Sequence, residues 1–524
     1  MPKYIEISKP FGGWVPTPAN AAAASAPNAS LEGGKNQYAW SKGISLRRLE
    51  KYGDIAPGET FTAITDAGTY ITALPLNGAV DSSGNGFVVQ TNGRVVKLNT
   101  SGTATTDYFA PVVHGGHTIQ STNNPDLIII RDATTSAVEY IVATWEDNTD
   151  ADVMIIRPDG SNKNSEWMSG GALAYLVAGV PLKMTQGPDG NIYGTNRQYL
   201  WSATMAAGVG IGAATRNTQA LNLGSGWVSN GICNYGNFIA VMGNQSTQSG
   251  VKRGNCRVWL WDGYSPEPNF VYDIPDNYAN GIFNDNGTLL AFTNGRSNSS
   301  KIFEFDGGKF NLKFGTTFIS SAGVPIQGAM ESFEGGVHLA TSNQSLGYVY
   351  LWENGGFHSR MVVTDGTNDA TTVGMCRNLY QGQLFVGVNY STTYKIFYQA
   401  NFTNYYTPAD FRTRLFTNWD DGTPIRKGKI TKVHIWFSQT GTGASLLLSL
   451  FKGYDTISLG GATDAMNKTL ASATLGSTKY HSFELSVDDI DSFYMNLRFN
   501  HSIITNTAYI IRKIVIEGDN TSIY

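Results

Sequence analysis

Gly281-Ile-Phe-Asn-Asp-Asn-Gly-Thr-Leu-Leu-Ala-Phe292 reads as an apolar strand, an Asn/Asp/Gly turn and a second apolar strand, the pattern of a β-hairpin. The pattern recurs in Gly231-Ile-Cys-Asn-Tyr-Gly-Asn-Phe-Ile-Ala-Val241, Gly328-Ala-Met-Glu-Ser-Phe-Glu-Gly-Gly-Val-His-Leu-Ala340 and Gly374-Met-Cys-Arg-Asn-Leu-Tyr-Gln-Gly-Gln-Leu-Phe-Val-Gly-Val388. The four leading glycines are 50, 47 and 46 residues apart. An aromatic strand follows each hairpin, and its marker residues Trp261, Phe305, Trp352 and Tyr398 stand 44, 47 and 46 residues apart. After the first three, an Asp-Gly or Asn-Gly turn leads to one more short strand. The unit is therefore about four antiparallel strands in ~47 residues, a length typical of propeller blades.

Fainter copies extend the array toward the N-terminus: Gly187-Pro-Asp-Gly-Asn-Ile-Tyr193 with Tyr199-Leu-Trp201, Asn124-Pro-Asp-Leu-Ile-Ile-Ile130 with Asp152-Val-Met-Ile-Ile156, and Gly86-Phe-Val-Val89 with Gly93-Arg-Val-Val-Lys-Leu98. One such sheet cannot bury both of its faces, whereas radial packing about an axis buries both and protects most edges. A stack of sandwich domains would need ~100 residues per unit. The sequence predicts an all-β chain with a propeller of about seven blades over residues 59–405. Either the N-terminal segment or a strand near residue 400 would complete the last blade.

The ends differ from the middle. Residues 1–58 combine Gly12-Gly13, Pro16, Pro18 and Pro27 with an Ala/Ser/Asn run, and predict an extended arm laid over a surface, anchored by Trp14, Tyr38 and Trp40. Residues 406–524 predict a small β-sandwich or jelly roll, with period-two strands such as Lys429-Ile-Thr-Lys-Val-His-Ile-Trp-Phe437. Alternation there assigns Lys429, Thr431, Val433 and Ile435 to one face and Ile430, Lys432, His434 and Trp436 to the other.

Composition agrees with strands and turns. Gly makes up 59 of 524 residues, charged residues 15% and aromatics 12%, against ordinary values of ~7% Gly and ~25% charged. So aromatic a chain is not disordered. The formal charge of −4 carries no basic excess and argues against tight binding of nucleic-acid phosphates. The first residues lack the charged and apolar regions of a signal peptide, and the apolar stretches at 172–182 and 203–214 are too short to span a bilayer. The expectation is a soluble protein made in a cytoplasm.

Chemistry is harder to find. Cys233, Cys256 and Cys376 form no disulfide framework or zinc spacing and read as buried thiols. His114-Gly-Gly-His117 is a weak metal signal that also reads as a turn. Nucleophile elbow, P-loop, HExxH and sialidase Asp-box patterns are absent. Asp189-Gly-Asn-Ile-Tyr193 resembles turns of lactonase- and lyase-type propellers, but Asp-Gly is also ordinary hairpin chemistry. Asp420-Asp421 and Asp488-Asp489 read as solvated turns. The sequence nominates no catalytic residue, metal or cofactor, and the expectation is a protein that is not an enzyme. Trp419, Trp436 and Tyr454 could offer flat rings to a glycan, although aromatics in alternating strands more often face the core.

Phe11-Gly-Gly-Trp-Val-Pro16, the polar/Ala stretch 19–30 and Leu46-Arg-Arg-Leu-Glu-Lys-Tyr-Gly53 resemble the opening of phage tail nozzle proteins, the family of tail tubular protein B and packaged-DNA stabilisation proteins. Glu50-Lys51 interrupt the family's tighter Arg-Tyr-Gly. Asp421-Gly-Thr-Pro-Ile-Arg-Lys-Gly-Lys-Ile-Thr-Lys-Val433 is similar to the start of the terminal sandwich in such proteins. The resemblance implies a structural virion protein: a homo-oligomeric ring in the tail that extends the DNA exit channel and retains packaged DNA. Its partners would be copies of itself and other tail or head–tail connector proteins, with DNA in transit and no membrane. Trp14, Arg47 and Arg48 would then be subunit contacts. The alternative is an adhesin or glycan-binding module using Trp419 or Trp436; a propeller enzyme acting on carbohydrate is the third reading.

Overall fold

A computed structural model describes residues 2–8, 38–42, 44–45, 55–58, 61–66, 70–99, 104–109, 125–131, 139–146, 151–161, 164, 167–168, 176–177, 179–204, 215–245 and 255–294. It further describes 300–316, 326–343, 346–353, 356–364, 370–380, 382–390, 393–399, 409–413, 416, 418–440, 444–452, 466–471, 479–500 and 508–520. The fold is all-β. Two compact units result: residues 62–347 with 370–398, and residues 1–61 with 348–369 and 399–524.

The first unit is the propeller. Its first blade has the strands Pro75–Val80, Gly86–Gln90, Val95–Leu98 and Ala104–Phe109, hydrogen-bonded in chain order. Three described strands, Leu127–Arg131, Glu139–Glu146 and Ala151–Ile156, make the second. The third opens with Met184–Gln186, the fourth with Trp227–Tyr235 and the fifth with Tyr278–Asp285, each followed by three more antiparallel strands. The sixth repeat places its first hairpin, Met330–Phe333 with Gly336–Asn343, in this unit. The seventh blade pairs Thr372–Tyr380, Gln383–Tyr390 and Thr393–Tyr398, and its fourth strand is Thr62–Ala63 from the other end of the array. The N-terminal side therefore closes the ring.

Period-two alternation explains the near-continuous apolar strands, because each blade is covered on both faces. Trp259 and Trp261 face the third blade, packing with Tyr193, Leu200 and Leu221. Their neighbours Val258 and Leu260 face the fifth, packing with Ile282, Leu289 and Phe303. The same holds where the ring closes. Val88, Val96 and Leu98 pack on Met375, Leu379, Phe385 and Ile396 of the seventh blade, while Phe87 and Val89 pack on Leu127, Ile141 and Trp145 of the second.

The periodic glycines mark more than hairpins. They lie where innermost strands crowd one another. A Cβ on Gly231 would stand 3.0 Å from Ile282 N of the next blade, and one on Gly374 would stand 2.4 Å from Pro75 O. Only glycine permits so close an approach of two backbones.

The Asp-Gly turns after the aromatic strands are held by their carboxylates. Asp306 Oδ1 accepts the Gly308 and Lys309 N–H groups (both 2.9 Å), and Asp262 accepts from Tyr264 N, Ser265 N, Ser265 Oγ and Asn269 Nδ2. These bonds lower the pKa of Asp262 below the carboxylate range and that of Asp306 to about 2. A depressed folded-state pKa gives stability that is present above the unfolded value of about 3.9 and is lost as pH falls through the folded one. The Asp262→Asn/Asp306→Asn double variant should therefore melt with a shallower pH dependence than the parent between about pH 4 and pH 2. Parallel slopes in thermal melts across that window would contradict this.

Among the described residues, the second unit contains two large antiparallel sheets besides the short pair Ile44–Ser45 with Ala56–Pro57. One has the order Lys3–Ile7, Ala508–Asn520, Gly428–Thr440, Tyr480–Ile490; the other runs Tyr38–Lys42, Ala409–Thr413, Phe493–Asn500, Ser445–Lys452, Met466–Ala471. Within the segment expected as an arm, Lys3–Ile7 and Tyr38–Lys42 are strands of these sheets, while 9–37 and 46–54 lie outside the described residues. Residues 3–7 alternate, with Ile5 and Ile7 buried and Tyr4 and Glu6 exposed, so they can complete a half-buried sheet edge. The Asp420-Asp421 turn holds this strand: Asp420 accepts the Glu6 N–H (2.8 Å) and donates its own N–H to Tyr4 O (2.9 Å), and Asp421 pairs with Lys3. The Lys3 ammonium, with Thr423, lowers the Asp421 pKa to about 2.

The alternation expected along 429–436 is corrected in one respect. The register shifts between Ile430 and Lys432, so Ile430 enters the buried face with Val433, Ile435 and Phe437. A bulge of one residue reverses the phase of all that precede it.

Candidate functional site

The innermost strands of a propeller bring residues from every blade to one axis, and here that axis is filled by the chain itself. A 3₁₀ turn, Ile326–Ala329, precedes the sixth hairpin and touches the innermost strands of the first, fifth and seventh blades. Gln327 reaches the fourth: its Oε1 accepts the Ile232 N–H at 2.9 Å, and its Nε2 donates to Ile232 O at 2.8 Å. The side-chain amide thus substitutes for a missing neighbouring strand on an edge that faces the axis. Gly328 packs so tightly that a Cβ would stand 1.9 Å from Leu76 O of the first blade.

A charged network completes the circuit. Arg377 of the seventh blade donates Nε to Asn77 Oδ1 of the first (2.6 Å), Nη2 to Gln327 O (3.1 Å), and Nη1 to Met330 O and Glu331 Oε2 (3.2 Å to the carboxylate). Asn77 Nδ2 donates to Asp126 Oδ1 and to Leu127 O (3.2 Å) of the second blade. Asp126 Oδ2 accepts the Met184 N–H of the third blade at 2.7 Å, and Lys183 Nζ donates to Pro125 O at 3.3 Å. Asp126 and Lys183 are both 0% exposed. Burial pushes the Lys183 ammonium below the lysine range, opposed by the nearby Asp126 carboxylate and reinforced by Arg377. Burial pushes Glu331 above its ordinary value, against the pull of Arg377. The Arg377, Asn77–Asp126, Asp126–Met184 and Lys183–Pro125 bonds all run from blade to blade, so the chemistry of this cluster is that of a fastener.

Other sequence candidates fall into place around it. Asp189 accepts from Asn191 N and Nδ2, Tyr193 OH (2.7 Å) and Tyr264 OH (3.3 Å), which makes it the hub of a turn. Burial pushes the thiols of Cys233 and Cys256 far up, leaving them neutral. Among the described residues no group of His, Cys, Asp and Glu has the arrangement of a metal site. Nor is any described helix long and apolar enough to cross a membrane.

Trp419 is removed as a glycan-stacking candidate. It is 2% exposed, its indole N–H donates to Asn520 Oδ1 (2.9 Å), and its ring packs against Gly518, so no face is available. Trp436 lies on the outward, half-buried face of its sheet beside Tyr480 and His434. Trp14, Arg47, Arg48, Tyr454, His114 and His117 lie outside the described residues. The axial network had no local signal, since Asn77, Asp126, Lys183, Gln327 and Arg377 come from five different repeats.

No protein-family model and no curated protein matches the chain. Solved structures resemble it at low similarity. The extracellular domain of a one-component system from B. thetaiotaomicron aligns at 11% identity and TM-score 0.43, over 67% of this chain and 41% of that one. The β-propeller domain of Cps50 (Swd1) from Myceliophteria thermophila aligns at 10% identity and TM-score 0.40, over 66% and 100%. Trypanosoma rangeli sialidase aligns at 11% identity and TM-score 0.36, over 89% and 96%. Likeness this low identifies neither a family nor an activity.

Proposed function

We propose that this chain is a structural, non-enzymatic subunit whose two β-bodies act through their outer surfaces. Combined with the resemblance of its opening and of 421–433, this reading makes it a subunit of a phage tail ring that surrounds the DNA exit channel. The observation that carries it is the axial turn. Gln327, Gly328 and Arg377 tie the blades across the centre and occupy the place where an axial site would lie, which favours a load-bearing body over an axial active site. DNA would then pass along the axis of the assembled ring, outside the propellers. A slightly acidic chain, charged −4, suits that passage, because each neutralised phosphate would add affinity and drag. Trp14, Arg47 and Arg48 remain the candidate subunit contacts, and the partners are further copies of the chain and neighbouring tail or connector proteins.

Sedimentation of the purified full chain tests this. The expected result is a closed homo-oligomer, or its assembly on addition of tail particles lacking the subunit. A chain that stays monomeric at high concentration and does not join particles contradicts the reading.

A further inference from the structure

The outward face of the sheet containing Trp436 is built unlike an ordinary solvated sheet face. Cross-strand register sets Tyr480 and Lys513 on either side of Trp436, and Ser482 and Val515 on either side of His434. The Trp436 and Tyr480 rings lie 5.0 Å apart at 49°, forming a shallow trough, and Tyr480 is 40% exposed. His434 fixes the arrangement: one ring nitrogen lies 2.6 Å from Tyr480 OH and the other 2.7 Å from Glu517 Oε1. Lys513 Nζ lies 5.6 Å from the Trp436 ring centre and 2.6 Å from Glu6 Oε2.

We propose that this face is a binding site for a neutral pyranoside, with Tyr480 and Trp436 as the stacking rings. A pyranose presents an apolar C–H face and a rim of hydroxyls that both donate and accept. Tilted aromatic rings suit the first. The Glu517 carboxylate has two oxygens, of which His434 engages one, and the Lys513 ammonium has three donors, of which Glu6 engages one, so both retain capacity for the second. Pairing of Lys513 with Glu6 offsets those two charges, and the Glu517 carboxylate beside the rings repels an acidic sugar, so an uncharged one is favoured. The rings are already pinned by cross-strand contacts, so little side-chain freedom is lost on binding. The proposal stands apart from the ring-subunit reading: a ring indifferent to sugars sinks the first, and a sugar-binding monomer sinks the second.

The test is titration of the full chain with methyl β-D-galactopyranoside, methyl α-D-glucopyranoside and methyl α-D-mannopyranoside, read by Trp fluorescence and saturation-transfer NMR, with N-acetylneuraminic acid as the acidic comparison. At least one neutral glycoside should saturate. Tyr480→Ala should weaken it by about tenfold or more, while Tyr480→Phe retains most of the affinity. Should Tyr480→Ala fail to fold, Glu517→Gln and Lys513→Ala should each weaken binding at unchanged melting temperature. No response to any of the three neutral glycosides, a response to the acidic sugar alone, or unchanged affinity in the variants overturns the proposal.

Discussion

Gly328→Ala should destabilise the propeller by roughly 4 kcal/mol or more, or prevent its folding, because the added methyl would sit 1.9 Å from Leu76 O and 3.2 Å from Asn77 Cβ. The obstacle is backbone of the first blade, which cannot rotate away as a side chain could. Relief requires the axial turn to retreat, and that breaks both Gln327 bonds to Ile232 and the Arg377 bond to Gln327 O. Gly315→Ala is the control. Its methyl would meet Lys301 Cγ at 3.5 Å and Ser300 O at 3.9 Å, ordinary contacts, and should change stability by no more than about 0.5 kcal/mol. Chemical denaturation of the two variants checks the pair, and similar midpoints would contradict an occupied axis.

Arg377→Met should cost about 3 kcal/mol, the lower end of the range for removing one partner of a buried ion pair, since the Arg377 side chain keeps 17% exposure. The loss exceeds that of a surface pair because the guanidinium serves four partners in two blades: Asn77, Gln327, Met330 and Glu331. A pH dependence should accompany it. Burial already raises the Glu331 pKa, and without the guanidinium the carboxyl rises further. A raised folded-state pKa gives stability that is full below the unfolded value and is lost as pH rises through the folded one. The variant should therefore be less impaired near pH 4 than at about pH 7. Equal impairment at both would mean that Glu331 does not face Arg377 in the folded chain.

These two positions also show where sequence reading stops. The propeller was legible because each blade is covered on both faces, which forces apolar strands such as 256–261 and 300–305 to recur at the blade period. The leading glycines were visible for the same reason, although their cause is strand crowding at the axis rather than turn chemistry alone. The axial network was not legible. Five of the repeats contribute its members, so the charges of different blades stand tens of residues apart and no short window of sequence contains two blades' worth. Thr62–Ala63 is too short for any periodicity to reveal it as the strand closing the seventh blade. In the second unit, the bulge between Ile430 and Lys432 moved Ile430 to the buried face, and a glycine, Gly518, admitted the Trp419 ring into the core. Strand period placed Trp436 on the same side as His434, and the structure adds Tyr480, Glu517 and Lys513 from strands far away in sequence.

Native-state hydrogen exchange at the Ile232 amide tests most directly whether the chain seals its own axis. Its N–H points away from the neighbouring strand of its blade and has Gln327 Oε1 as acceptor. Protection comparable to that of blade-core amides such as Val241, lost selectively in Gln327→Ala, is the predicted result. Exchange of Ile232 in the parent chain as fast as an exposed turn amide would mean that the axis is open to water, and the case for a solid, load-bearing ring of blades would fail with it.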